Sequence, residues 1–312
     1  MKLDQVAKYM EEAGIPGRDN YDLPNSEKRF PDGAHYRIEM SGVEGPKVLE
    51  ALIDEKNKRG VPVHRLISLV AGGYLFDEQE LKDFAQMAAE EEMEVIAVPG
   101  PRNGRDKGRQ YLTTEGMRTG QQHRGSDQLK YVIADMLRMY DLGIRGFMVV
   151  DPGLMWLISK MQKQGNFPKD VAIKISVWAG ASSAASAKVI EDLGASSVNP
   201  IADLPLPILS SIREAIDIPV DFYIWTFISF GGTERFYEAA EVARIYSPCY
   251  FKFEPETSST DGYAPWTDVN HQMNLMRKKI KWAQFVIDFI EENAPEIKLS
   301  DQGPDDLFVP KI

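Results

Sequence analysis

Along the chain, short apolar runs alternate with longer stretches whose apolar residues recur every three to four positions. The short runs cover 35–41 (HYRIEMS), 64–70 (HRLISLV), 94–100 (EVIAVPG), 146–151 (GFMVVD), 172–179 (AIKISVWA), 196–201 (SSVNPI), 220–226 (VDFYIWT) and 250–256 (YFKFEPE). Many are rich in the β-branched and aromatic side chains that suit a pleated, half-buried surface, and together they predict eight strands. The longer stretches predict helices over 46–59, 77–91, 126–142, 153–164, 182–193, 205–216, 233–246 and 269–293. Ser126 and Ser182 stand where helix starts need a cap, and Gly143 and Gly194 where helices end.

Eight consecutive βα units predict a parallel α/β sheet closed into a single (β/α)8 TIM barrel over residues 35–298. An open doubly wound sheet would call for G-x-G-x-x-G after the first strand, and none follows it. Residues 1–34 predict an amphipathic helix and then an irregular arm rich in Pro, Gly, Asn and Asp. The tail, 299–312, carries the apolar pair Phe308 and Val309, which docks either on its own barrel or on a second copy in a homo-oligomer. Residues 101–125, polar and rich in Gly and Arg, lie on the side where barrels carry function and form a lid candidate.

In a barrel the outward face of each strand meets the helices and is apolar, which leaves the other positions facing the lumen. Ile173, Ile175 and Val177 take the outward face of the fifth strand, so Lys174, Ser176 and Trp178 point inward. Phe251 and Phe253 do the same on the eighth, leaving Lys252 and Glu254. The rule also predicts Arg37 and Glu39 inside on the first strand, Ser68 on the second, Asn199 on the sixth, and Asp221 and Tyr223 on the seventh, with Asp151 ending the fourth. Barrel interiors are ordinarily filled with Val, Ile and Leu, and a lone buried charge costs several kcal/mol. These groups therefore pair with one another in layers that plug the barrel, or they line a polar site at its C-terminal mouth.

The chain has 36 Lys and Arg against 47 Asp and Glu, a formal charge of −11, which offers no basic footprint for nucleic acid or an anionic membrane. Cys249 is the single cysteine, so no intramolecular disulfide and no iron–sulfur cluster can be built from this chain's thiolates alone. No apolar leader core opens the chain, and a cytoplasmic protein is expected. His35, His64, His123 and His271 lack metal-binding spacing, whereas Glu39, Asp151, Asp221 and Glu254 are hard oxygen ligands that could hold Mg²⁺ or Mn²⁺.

Burial and cationic neighbours can lower the pKa of an inward lysine enough for general-base or Schiff-base work, or the amine can bind a substrate carboxylate or phosphate; anion binding or proton transfer is expected ahead of a Schiff base. The candidate acid–base set is Glu39, Asp151, Lys174 and Lys252. Arg37, Ser176, Asn199, Asp221, Tyr223 and Glu254 are candidates for positioning a small-molecule substrate. Gly231 and Gly232, placed before the seventh helix, form either an anion cradle or a tight turn. Arg102 and Arg124, flanking the lid candidate, could clamp a carboxylate.

Four stretches, FPDGAHYRIE (30–39), RGFMVVDPGLMWL (145–157), LGASSVNPIADLPLPILSSIREAIDIPVDFYI (193–224) and PCYFKFE (248–254), resemble the collagenase-like peptidase U32 family, in particular its cysteine-poor stand-alone barrels. The resemblance implies a barrel and carries the label of a peptidase. Many members of that family hold iron–sulfur clusters with several cysteines, and this chain departs from them by having Cys249 alone. Three functions follow as expectations. The first is a lyase- or isomerase-type enzyme acting on a small anionic or carbonyl-bearing substrate. The second is a peptidase or amidase with a carboxylate-activated water, and the third a non-catalytic ligand-binding or scaffold barrel.

Overall fold

The protein is described from a computed structural model covering residues 3–101, 113, 121–254 and 268–312. Every expected strand is present: β1 (Tyr36–Val43), β2 (Arg65–Ser68), β3 (Glu94–Ala97), β4 (Gly146–Val149), β5 (Ala172–Ile175), β6 (Ser197–Val198), β7 (Val220–Tyr223) and β8 (Cys249–Phe253). They pair in sequence order into a closed barrel, and β8 returns in parallel to β1 with Glu39 opposite Lys252. The fold is a TIM barrel.

The described helices are α1 (Leu3–Glu12), α2 (Pro46–Arg59), α3 (Glu78–Glu90), α4 (Gly125–Asp141), α5 (Pro152–Gln164), α6 (Ala184–Asp192), α7 (Leu206–Ala215), α8 (Ala239–Tyr246) and α9 (Val269–Asn293). From α2 onward their apolar stripes pack on the outward strand residues, so that Ile38, Phe147, Ile173, Ile175, Phe222, Phe251 and Phe253 share one core with Leu49, Phe84, Met136, Ile212 and Ile280. Helix ends follow local chemistry with small displacements from expectation. The side chain of Ser183, not Ser182, caps α6, and α4 begins at Gly125 with no side-chain cap, which leaves Ser126 inside its first turn. Gly143 and Gly194 do follow helix ends, at φ 104° and 95°.

Residues 233–246 are the largest departure: only Ala239–Tyr246 is α-helical, after a 3₁₀ turn at Phe236–Glu238. The Thr226 hydroxyl accepts from the Thr233 N–H at 2.7 Å, and the Thr226 N–H donates back to Thr233 O, so this stretch folds as a hairpin-like turn.

The tail packs on its own barrel. Arg37 holds Asp306 through two bonds of 2.8 and 2.6 Å, and His64 Nε2 meets the carbonyls of Ser300 and Asp301 at 3.1 Å. Phe308 packs against the lumen cluster, beside a cavity of about 270 Å³ lined by Phe30, Arg65, Glu94 and Tyr250 at the N-terminal end of the barrel.

Candidate active site

The lumen has two sides. Above Arg65 and Glu94, buried at the starts of β2 and β3, Ile67, Ile96, Val98 and Met148 make the wall from β2 to β4 apolar, and they pack with Ala172, Val177, Tyr223 and Phe227. The opposite wall, from β5 round to β1, is charged. At its centre Glu39 accepts from Lys174 at 2.6 Å, from Lys252 at 2.5 Å, and from Arg65. Asp221 accepts from Arg65 at 2.6 Å and also from Lys174, while Arg65 donates to Ser197 Oγ at 3.1 Å and lies 3.4 Å above the Tyr250 ring. All five charged side chains are buried. This is a closed ion-pair layer, one of the two arrangements open at the level of sequence, and it seals the middle of the barrel.

Above it, toward the C-terminal mouth, lies a second tier. Lys252 reaches from Glu39 to Glu254 at 3.2 Å, and Glu254 also accepts from Ser41 Oγ at 3.3 Å. Asn199 Nδ2 donates to the Tyr223 hydroxyl at 2.8 Å, while Asn199 Oδ1 is buried with no hydrogen-bond partner among the described residues. Ser176, also buried, caps a 3₁₀ turn that carries Trp178 over the lumen against Phe227 and Phe230.

The tiers differ in electrostatics. Burial opposes ionisation of Glu39, yet Arg65, Lys174 and Lys252 outweigh it and hold the carboxyl well below its ordinary range. Glu254 moves the other way: burial raises it, and Lys252 and Lys279 only partly offset that. Burial and neighbouring Arg65 draw Lys174 down to about 8, against the pull of Asp221 and Glu39. Lys252, although buried, stands among Glu254, Glu39 and Asp221 and is raised. Lys279, on α9, is drawn down to about 7 by burial and donates to the carbonyls of Ser41 and Phe253.

Several candidate residues lie elsewhere. Arg37 faces inward but at the N-terminal end, where it latches the tail rather than meeting the mouth. Asp151 caps α5, accepting from the N–H groups of Gly153 and Leu154 at 2.7 and 3.3 Å, and takes no part in the Glu39 layer. The N–H groups of Gly231 and Gly232 donate to Ile228 O and Phe227 O, so the turn consumes the donors that an anion cradle would need. Ser68 shares the parity of outward Leu66; Arg65 and Ile67 take the lumen positions of β2. Arg102 and most of the lid candidate lie outside the described residues, whereas Arg124 stands at the start of α4.

The proposed carboxylate site for Mg²⁺ or Mn²⁺ does not form. Cations already occupy Glu39 and Asp221, Asp151 is used as a cap, and no group of three His, Cys, Asp or Glu able to hold a metal ion exists among the described residues. No described helix is long and apolar enough to cross a membrane.

Two site residues escaped the sequence. Arg65 sits in a strand where apolar residues fall on both parities, so alternation could not orient it. Its charge in an otherwise apolar run was the available signal. Lys279 lies on the buried stripe of α9 with Met276, Ile280 and Ala283, and a lysine on an apolar face was the clue.

The family model for Peptidase family U32 matches residues 122–232, from just before α4 to the turn after β7, as the sequence resemblance anticipated. No curated protein sequence matches the chain. Among solved structures, the YdjI aldolase from Escherichia coli K12 is 14% identical with a TM-score of 0.47, over 85% of this chain and 94% of its own. The U32 peptidase Mk0906 is 15% identical with a TM-score of 0.44, over 75% and 97%. D-Psicose 3-epimerase from Clostridium cellulolyticum H10 is 9% identical with a TM-score of 0.48, over 82% and 98%.

Proposed function

We propose that this chain, a TIM barrel similar to Peptidase family U32 over residues 122–232, is an enzyme that moves a proton on a small anionic or carbonyl-bearing substrate at its C-terminal mouth. The reaction is of lyase or isomerase type. One observation carries the reading: Lys252 bridges two buried carboxyls, Glu39 at 2.5 Å and Glu254 at 3.2 Å, whose pKa values are pushed in opposite directions. Carboxyls separated in this way divide an ionised anchor from a proton donor, and barrels place their chemistry at the mouth, where Glu254 stands.

Glu39 stays ionised and holds three cations; Glu254 gives a proton to the substrate. Burial keeps the Tyr223 phenol protonated, and with Asn199 Nδ2 already donating to its oxygen, its own proton is directed to another acceptor. Asn199 Oδ1 accepts from a substrate hydroxyl or amine. Lys174 supplies positive potential from the layer beneath.

A thermal-shift panel of small carboxylates, sugar phosphates, divalent metals and short peptides tests this. A saturating small anion should raise the midpoint by several degrees. Glu254→Gln should then retain the fold and lose turnover by about 10²–10⁴-fold; full turnover in that variant would refute the assignment. The U32 match favours peptide hydrolysis as a second reading, and a panel in which peptides alone shift the midpoint, with cleavage, would replace the first.

A further inference from the structure

We propose that His123 and Asp151 form a proton-accepting dyad at the C-terminal mouth, facing Glu254 across the barrel. The inference rests on the reading of this barrel as an enzyme and gives that site its base. Asp151 follows β4, and His123 lies two residues before α4. β4 and β8 occupy opposite sides of the closed eight-strand ring, so the dyad and Glu254 stand on opposite rims of one mouth.

Asp151 is committed on every side. Its Oδ1 accepts from Gly153 and Leu154, and its Oδ2 accepts from the His123 backbone N–H at 3.1 Å. Burial works against ionisation, but His123 and these N–H groups hold the carboxyl at about 2, so it stays charged and does not itself shuttle protons. The His123 ring is clamped beside it, with Nδ1 3.5 Å from Asp151 Oδ2 and the side chain 3% exposed. Among the described residues neither ring nitrogen has a hydrogen-bond partner. A buried imidazole left so is destabilising, and catalytic contacts are often long before substrate arrives.

A carboxylate beside Nδ1 selects the tautomer with the proton there, leaving the Nε2 lone pair free. In the reaction, Nε2 forms a bond to the proton of a substrate O–H, or of a C–H acidified by a neighbouring carbonyl. The electron pair of the broken bond stays on the substrate as an alkoxide or enolate. The resulting imidazolium is balanced by Asp151, a positioning residue, and Glu254 returns a proton from the other rim.

The ring tautomers of the full chain, labelled with ¹⁵N, provide the test. His35 and His64 are internal controls, because each accepts a backbone N–H at Nδ1 and so carries its proton on Nε2. His123 should show the reverse tautomer at neutral pH and lose that preference in Asp151→Asn, which keeps a side chain able to cap α5. An Nε2–H tautomer in the wild type, or no response to Asp151→Asn, would overturn the dyad whatever the enzyme does. Exchange of pyruvate methyl protons in D₂O, followed by NMR, reads the base directly: His123→Gln should slow it at least 100-fold with an unchanged melting midpoint. Exchange in that variant at the wild-type rate would overturn the base role. No exchange by the wild type would instead count against the carbonyl substrate class, with the tautomer still deciding the dyad.

Discussion

Three buried cations, Arg65, Lys174 and Lys252, converge on the two oxygens of Glu39. Glu39→Gln keeps the volume and removes the charge, which strands Arg65, Lys174 and Lys252 with too few anions. Removing one partner from such a network costs about 3–5 kcal/mol, so urea unfolding should show a midpoint far below that of the wild type. Lys174→Met acts from the other sign and also weakens the fold, so a loss of turnover in it must be read against stability. The lowered lysines set a pH trend. Lys279 at about 7 and Lys174 at about 8 both lie below the amine value of 10.5 that holds in the unfolded chain. Between about pH 7 and 9 these two amines therefore bind more protons in the unfolded state than in the folded one, and their contribution to stability rises with pH. Lys279→Met should flatten that rise in urea titrations across the window; an unchanged slope would mean that Lys279 stays charged when buried.

At the level of elements, the strands and most helices were legible because their signals are local. The outward residues of β5 and β8 alternate cleanly, and so Lys174, Lys252 and Glu254 were placed correctly from the sequence. In β2 the pair Leu66–Ile67 satisfies either face, so alternation predicts Ser68 inside where the structure has Arg65. The helix expected over 233–246 was shortened by a turn whose hydrogen bonds involve Thr226, outside the helical window. Gly146, which opens β4, shows how tightly elements meet: a Cβ there would lie 2.5 Å from Val95 O and from Ile96 Cδ1. The carbonyl cannot move without disturbing the β3 ladder, so Gly146→Ala should cost about 1–3 kcal/mol, measurable by denaturant unfolding.

The whole molecule is closed at its N-terminal end by segments from both ends of the described chain. Phe30 stacks under Arg37, whose guanidinium lies 3.9 Å from the ring centre, and Asp306 and Phe308 bring the tail to the same place. Truncation before Leu299 removes the bidentate partner of a buried arginine and the carbonyl partners of His64. It should lower the melting midpoint by several degrees or more, and light scattering should find the same mass per particle, corrected for the lost residues. A change in oligomer number would show that the tail also serves an interface between copies.

Sequence alone determined the barrel, since eight βα periods leave a parallel sheet little choice but closure, and it placed charged side chains of the first, fifth, seventh and eighth strands in the lumen. What only the tertiary structure decided is which charges meet. Glu39 joins Lys174 across 135 positions and Lys252 across 213, and those contacts depend on the stagger of strands around the ring, which no local pattern encodes. Position along the strand sends Arg37, second in β1, to the closed end and Glu254, just past β8, to the mouth, so residues alike in alternation come to opposite uses.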